Sequence, residues 1–110
     1  MSTFKFPVIN PLLHNELRLK IMVTLDSLEC ADFVYLCSIT EATRGNLSVQ
    51  LKTLLQAGYL SMNKSGLGCH SHTVCSITQE GRIALRAYEQ GLRRLFAEGV
   101  PAQEDRQHVG

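Results

Sequence analysis

Apolar residues recur at helical spacing in three parts of this chain, and between them the polar residues fall where helices start and stop. The clearest case is residues 43–60. Leu47, Leu51, Leu54 and Leu55 follow the i, i+4, i+7, i+8 series of one buried helical face. Thr43 can cap the N-terminus of that helix, and Gly58 stands where a helix C-terminus favours a residue free to take positive φ. Upstream, Leu17, Ile21, Leu25 and Leu28, with Met22 beside them, predict a helix that Asn15 caps. Cys30-Ala31 breaks the pattern, and Asp32 is placed to cap a short second helix through Phe33, Val34, Leu36 and Cys37. Downstream, Thr78 caps a helix expected from about Gln79 to Ala97, whose apolar set is Ile83, Ala84, Ala87, Tyr88, Leu92, Leu95 and Phe96.

The remaining segments read differently. Pro7 and Pro11 break residues 1–10 into an extended arm, and Phe4 and Phe6 are apolar enough to dock on something, a second subunit included. Tyr59-Leu60-Ser61-Met62-Asn63 has strand composition, Lys64-Ser65-Gly66-Leu67-Gly68 is turn chemistry, and Cys69 to Ile77 alternates as the returning strand. The expected class is α+β, mainly α with a small β-hairpin, in one domain over 1–98. A polar, disordered tail is expected over 99–110.

The helix over about 44–57 carries Arg44, Asn46, Ser48, Gln50, Lys52 and Thr53 away from its leucines, and no carboxylate. These side chains donate to phosphates and read base edges. A short helix, a brief connection and a second helix dressed in this way make a helix-turn-helix, and a hairpin directly after it makes a wing. An ordinary amphipathic surface helix has the same period, so the apolar spacing alone does not separate the two.

Charge sharpens the picture. The total is only +1, but residues 1–41 sum to −2, residues 42–79 hold Arg44, Lys52 and Lys64 with no acid, and residues 80–110 balance. The one positive zone is therefore the helix and hairpin, a thin but local footprint for phosphate. No apolar run is long enough to cross a bilayer, and the first residues lack a basic segment followed by an apolar one, so a cytoplasmic protein without a secretory signal is expected.

Cys69, His70, His72 and Cys75 place soft and borderline metal ligands within seven residues. In a regular strand, six steps of about 3.3 Å would separate the two cysteines by roughly 20 Å, and the histidines would face the other way. Four ligands converge only if the wing gives up the hairpin. The expectation is therefore no cofactor and a plain wing, with a metal- or redox-sensing wing as the alternative. Cys30 and Cys37 are expected to be buried as small hydrophobes. Catalysis is not expected: no nucleophile has an orienting partner and no phosphate-binding glycine loop is present.

Pro11-Leu12-Leu13-His14-Asn15, Leu17 to Met22, Gly45-Asn46-Leu47-Ser48, Leu54 to Tyr59 and Ile77 to Arg82 together resemble the small single-domain winged-helix transcriptional regulators related to the MarR and ArsR groups. The resemblance spans residues 8–97. It implies a homodimeric regulator of double-stranded DNA with its recognition helix in the major groove and its wing, about 59–77, near the backbone. Asn46, Ser48, Gln50 and Lys52 match positions that face DNA in such proteins, Arg44 stands where an acid is common, and the wing offers Lys64 where relatives carry several cations. Tyr88, Leu92, Leu95 and Phe96 are the expected dimer surface, since a three-helix core is too small to cover them. A winged-helix protein-interaction module without specific DNA binding is the competing class.

Overall fold

A computed structural model describes residues 3–65 and 72–102 of the chain. Four helices and three strands follow in the order α1 (Glu16–Leu28), β1 (Cys30–Asp32), α2 (Phe33–Thr40), α3 (Arg44–Gln56), β2 (Leu60–Ser65), β3 (His72–Ile77) and α4 (Gln79–Glu98). The class is α+β and the architecture is a winged helix-turn-helix.

Each helix starts on a side-chain oxygen that takes up an otherwise orphaned backbone N–H. Asn15 accepts from the amide of Arg18, Asp32 from Tyr35, Thr43 from Asn46 and Thr78 from Gly81. The end of α3 is closed by a Schellman arrangement. Gly58, at φ 81°, donates to the Leu55 carbonyl while Tyr59 donates to that of Leu54. Thr78 then ties the end of α3 to the start of α4. Its hydroxyl donates to the Gly58 carbonyl at 2.6 Å, and its amide to that of Tyr59 at 3.1 Å. Gly81 follows within the first turn, where a Cβ would collide with the Tyr59 carbonyl oxygen.

All the helices and the sheet share one core. Leu13, Ile21, Met22, Leu25, Leu36, Leu47, Leu51, Leu54 and Cys75 are fully buried, with Leu60, Leu85 and Tyr88 nearly so. No buried side-chain nitrogen or oxygen among the described residues lacks a hydrogen-bond partner. Residues 8–14 run across this core as a strap. Asn10 donates to the Tyr59 hydroxyl at 2.8 Å, His14 Nδ1 lies 3.0 Å from the Tyr88 hydroxyl, and Ile9 and Val8 lie over Gly91 of α4.

Four sequence expectations need correction. The sheet has three strands in the order β1-β3-β2, not two. Cys30-Ala31, read as a mere break, forms β1 together with the capping residue Asp32, and the three pair antiparallel with Ser76, Cys75 and Val74. Lys64 and Ser65, read as turn, continue β2 and pair with Thr73 and His72. Cys30 is exposed because it lies on the edge strand with its side chain outward, and Cys37 is half-buried. Leu28, Leu55 and Ile83 sit at or beyond the rims of their helical faces rather than in the core. The expected turn at Gly66–Gly68, the start of the returning strand at Cys69, and tail residues 103–110 lie outside the described residues.

Candidate nucleic-acid interface

At 100° per residue, the line on α3 opposite Leu47, Leu51 and Leu54 is Gly45, Val49, Lys52 and Gln56, all four exposed. The residues chosen from sequence lie on and beside this line, and the two flanks differ. Asn46, Gln50 and Thr53 form the flank toward α1. There the Arg18 guanidinium donates to the Gln50 side-chain oxygen, and the Gln50 amide donates to Asn46 Oδ1 at 3.2 Å. Arg18 Nε also donates to the Leu12 carbonyl at 2.6 Å. The Gln50 side chain is thereby half-buried in a strut from the strap through α1 to α3. The Thr53 hydroxyl donates back to the Val49 carbonyl.

Arg44 and Ser48 form the other flank, toward α2 and β2. The Arg44 guanidinium carbon lies 5.1 Å from the Phe33 ring centroid. A cation–π contact of this kind stabilises by about 0.5–1 kcal/mol and leaves the in-plane N–H donors to other partners. Ser48 and Lys52 edge a groove of about 250 Å³ whose floor is Phe33, Leu51, Leu55 and Met62. Among the described residues, neither Arg44, Lys52 nor Lys64 forms an ion pair, whereas Arg82, Arg86, Arg93 and Arg94 are all paired with carboxylates. The cations of α3 and β2 are therefore available to an outside anion, while each of the four arginines of α4 already has a carboxylate beside it. Val49 was missing from the sequence-derived set. Its signal was its place in the helical wheel, not its chemistry.

The wing holds Lys64 exposed on β2 opposite Thr73. Of the four possible metal ligands, His72 is exposed at the far end of β3 and Cys75 is buried beneath the sheet, facing the other way. Burial pushes the Cys75 thiol up to about 11, with the charge of Asp32 adding to the effect. Cys69 and His70 lie outside the described residues. Among the described residues, no three His, Cys, Asp or Glu side chains gather as a metal site would need.

The expected dimer residues divide in two. Tyr88 is buried in the core of its own chain, its hydroxyl 3.0 Å from His14 Nδ1, and Leu92 and Leu95 are half-buried. Phe96 is 83% exposed. Leu92 and Phe96 line one wall of a groove of about 490 Å³ whose opposite wall is Leu19 and Val23 of α1. Asp26 marks its charged edge, held 2.8 Å from Arg82 and 3.0 Å from Arg86.

A cap-initiated helix presenting unpaired cations, followed by a two-stranded wing, is the geometry of a winged helix. The chain belongs to the winged helix DNA-binding domain family, whose sequence profile matches residues 17–96. It is 37% identical over 71 residues to an uncharacterised protein of Methanocaldococcus jannaschii, covering 64% of this chain and 77% of that one. The structure of a transcriptional regulator homologue from Pyrococcus horikoshii superposes with a TM-score of 0.74 at 25% identity, over 79% of this chain and 86% of that one. A mutant of MarR from E. coli shares the fold at 17% identity, with a TM-score of 0.64 over 90% of this chain and 75% of that one. No helix among the described residues is long and apolar enough to cross a membrane.

Proposed function

We propose that the protein is a homodimeric, sequence-specific transcriptional regulator without catalysis, with α3 in the major groove of double-stranded DNA and the wing beside the backbone. The observation that carries this reading is the outward face of α3. It is free of acids, holds Arg44 and Lys52 unpaired among the described residues, and is braced from behind by a full row of leucines. Lys64 on β2 supports a backbone contact from the wing. The groove between α1 and α4 supports a dimer, since Phe96 and the Leu19–Val23 wall offer an apolar surface that a two-fold related copy would cover. Two such copies would read half-sites about 10 base pairs apart.

Selection of bound duplexes from a random pool, with sedimentation equilibrium, tests the reading. The expected result is a dimer that enriches a two-fold symmetric sequence. Lys52→Ala should weaken binding to every sequence and flatten the salt dependence by about one unit. A monomer that enriches nothing would overturn the proposal, and an unchanged salt slope would remove Lys52 from the phosphate contacts.

A further inference from the structure

The N-terminal half of the outward line of α3, Gly45 and Val49, carries no hydrogen-bonding side chain, and the polar groups beside it are engaged within the fold. Gln50 has both ends of its amide engaged, by Arg18 and by Asn46. Asn46 is turned to the α1 flank by the same contact. The middle of the line is instead Val49, 59% exposed. A β-branched residue is a poor choice for an exposed helix interior on propensity grounds, and an isopropyl group in water gains nothing from the fold. One turn earlier on the same line stands Gly45, where a Cβ would meet nothing within 4 Å. No packing requirement excludes a side chain there. Without a Cβ the helix surface stays open there, one turn before Val49.

We infer that Val49 is a specificity-determining residue, packing its isopropyl group against the 5-methyl of a thymine while Gly45 lets the base edge come close. The inference rests on the major-groove reading given above. Thymine is the base that presents an apolar group in that groove, and the other major-groove edges are hydrogen-bond donors and acceptors. Against those edges the valine would remove water from polar atoms without replacing the lost hydrogen bond, so it selects for thymine and against the rest. Lys52, one turn further along, supplies a charge that positions the helix but carries no such discrimination.

The test uses the duplex enriched from a random pool, with each thymine replaced singly by deoxyuridine, which removes the methyl and nothing else. Binding is followed by fluorescence anisotropy for the full chain and for Val49→Ala, whose fold is checked by circular dichroism. For the unmodified protein, one position in each half-site should lose about fourfold in affinity, and both together about fifteenfold, the value of one buried methyl per contact. Val49→Ala should bind the thymine duplex more weakly and be indifferent to uracil at that same position. If the unmodified protein is indifferent to uracil at every position, or if Val49→Ala keeps the same sensitivity, the inference is overturned while the DNA-binding reading stands. If no duplex is enriched at all, both fall.

Discussion

Gln50 offers the sharpest test of how α3 is held, because its chemistry suggests a base reader and its contacts make it a strut. In Gln50→Ala, two hydrogen bonds disappear: the one accepted from the Arg18 guanidinium and the one donated to Asn46. A bond to a charged partner contributes about 1.5–3 kcal/mol and a neutral one about 0.5–1.5 kcal/mol. The strut is only half-buried, so the lower ends apply, and alanine returns a few tenths through its helix propensity. The net loss should be about 1.5 kcal/mol. At a typical urea dependence this lowers the unfolding midpoint by about 0.5–1 M, measured at fixed protein concentration because a dimer would couple stability to mass action. Arg18→Ala should cost more, since it also abandons the Leu12 carbonyl. The double variant should show a coupling energy of about 1 kcal/mol between the two sites. The base preference enriched from a random pool should not change. An unchanged midpoint together with a relaxed preference at one base would refute the strut and restore Gln50 as a reader.

Three further outcomes are expected. Gly81→Ala should destabilise by about 1–3 kcal/mol, because its Cβ would run into the Tyr59 carbonyl and sit 3.1 Å from the Ile77 side chain, whereas Gly45→Ala, with open space around it, should stabilise by about 0.5–1 kcal/mol. Urea titrations that give the two the same sign would refute the packing argument. Glu41 is the left-handed residue of the helix-turn-helix turn, at φ 59°. Relief of that conformation in Glu41→Gly should outweigh the added unfolded-state entropy by about 0.5 kcal/mol, and loss of an acid near Asn46 should tighten DNA binding; weaker binding would count against it. Because burial raises the Cys75 thiol from 9.0 to about 11, the folded state keeps its proton longer than the unfolded chain. That contribution to stability is complete below about pH 9 and is lost as pH rises toward 11, a decline that Cys75→Ala should lack. At pH 8, thiol reagents should modify exposed Cys30 and spare Cys75.

The parts of the fold legible in the sequence were those decided locally. Asn15, Asp32, Thr43 and Thr78 each cap the helix they were expected to cap, because an N-cap needs only a side-chain oxygen two or three residues from its donor. The burial of Leu47, Leu51 and Leu54 and the positive φ of Gly58 followed from period and glycine alone, while Leu55, the fourth of the row, lies at its rim. Strand β1 was illegible because three residues carry no alternation, and the pairing that makes them a strand comes from residues 74–76. The Gln50 strut escaped for the same reason, its partner lying 32 residues away. On the outward part of α3 the polar side chains stood out in the sequence. Val49 did not, since an apolar residue in an apolar-periodic helix looks like core until the wheel turns it outward.

The strap over residues 8–14 also orders events during synthesis. Its anchors are Tyr59, 49 residues beyond Asn10, and Tyr88, 74 residues beyond His14. During synthesis, the contacts of the strap with Tyr88 and Gly91 therefore cannot form until α4 has been made. Helices α1 to α3 can close on one another while translation continues, but the strap must wait for α4. Folding should then finish in one late step, with residues 8–14 among the last to settle.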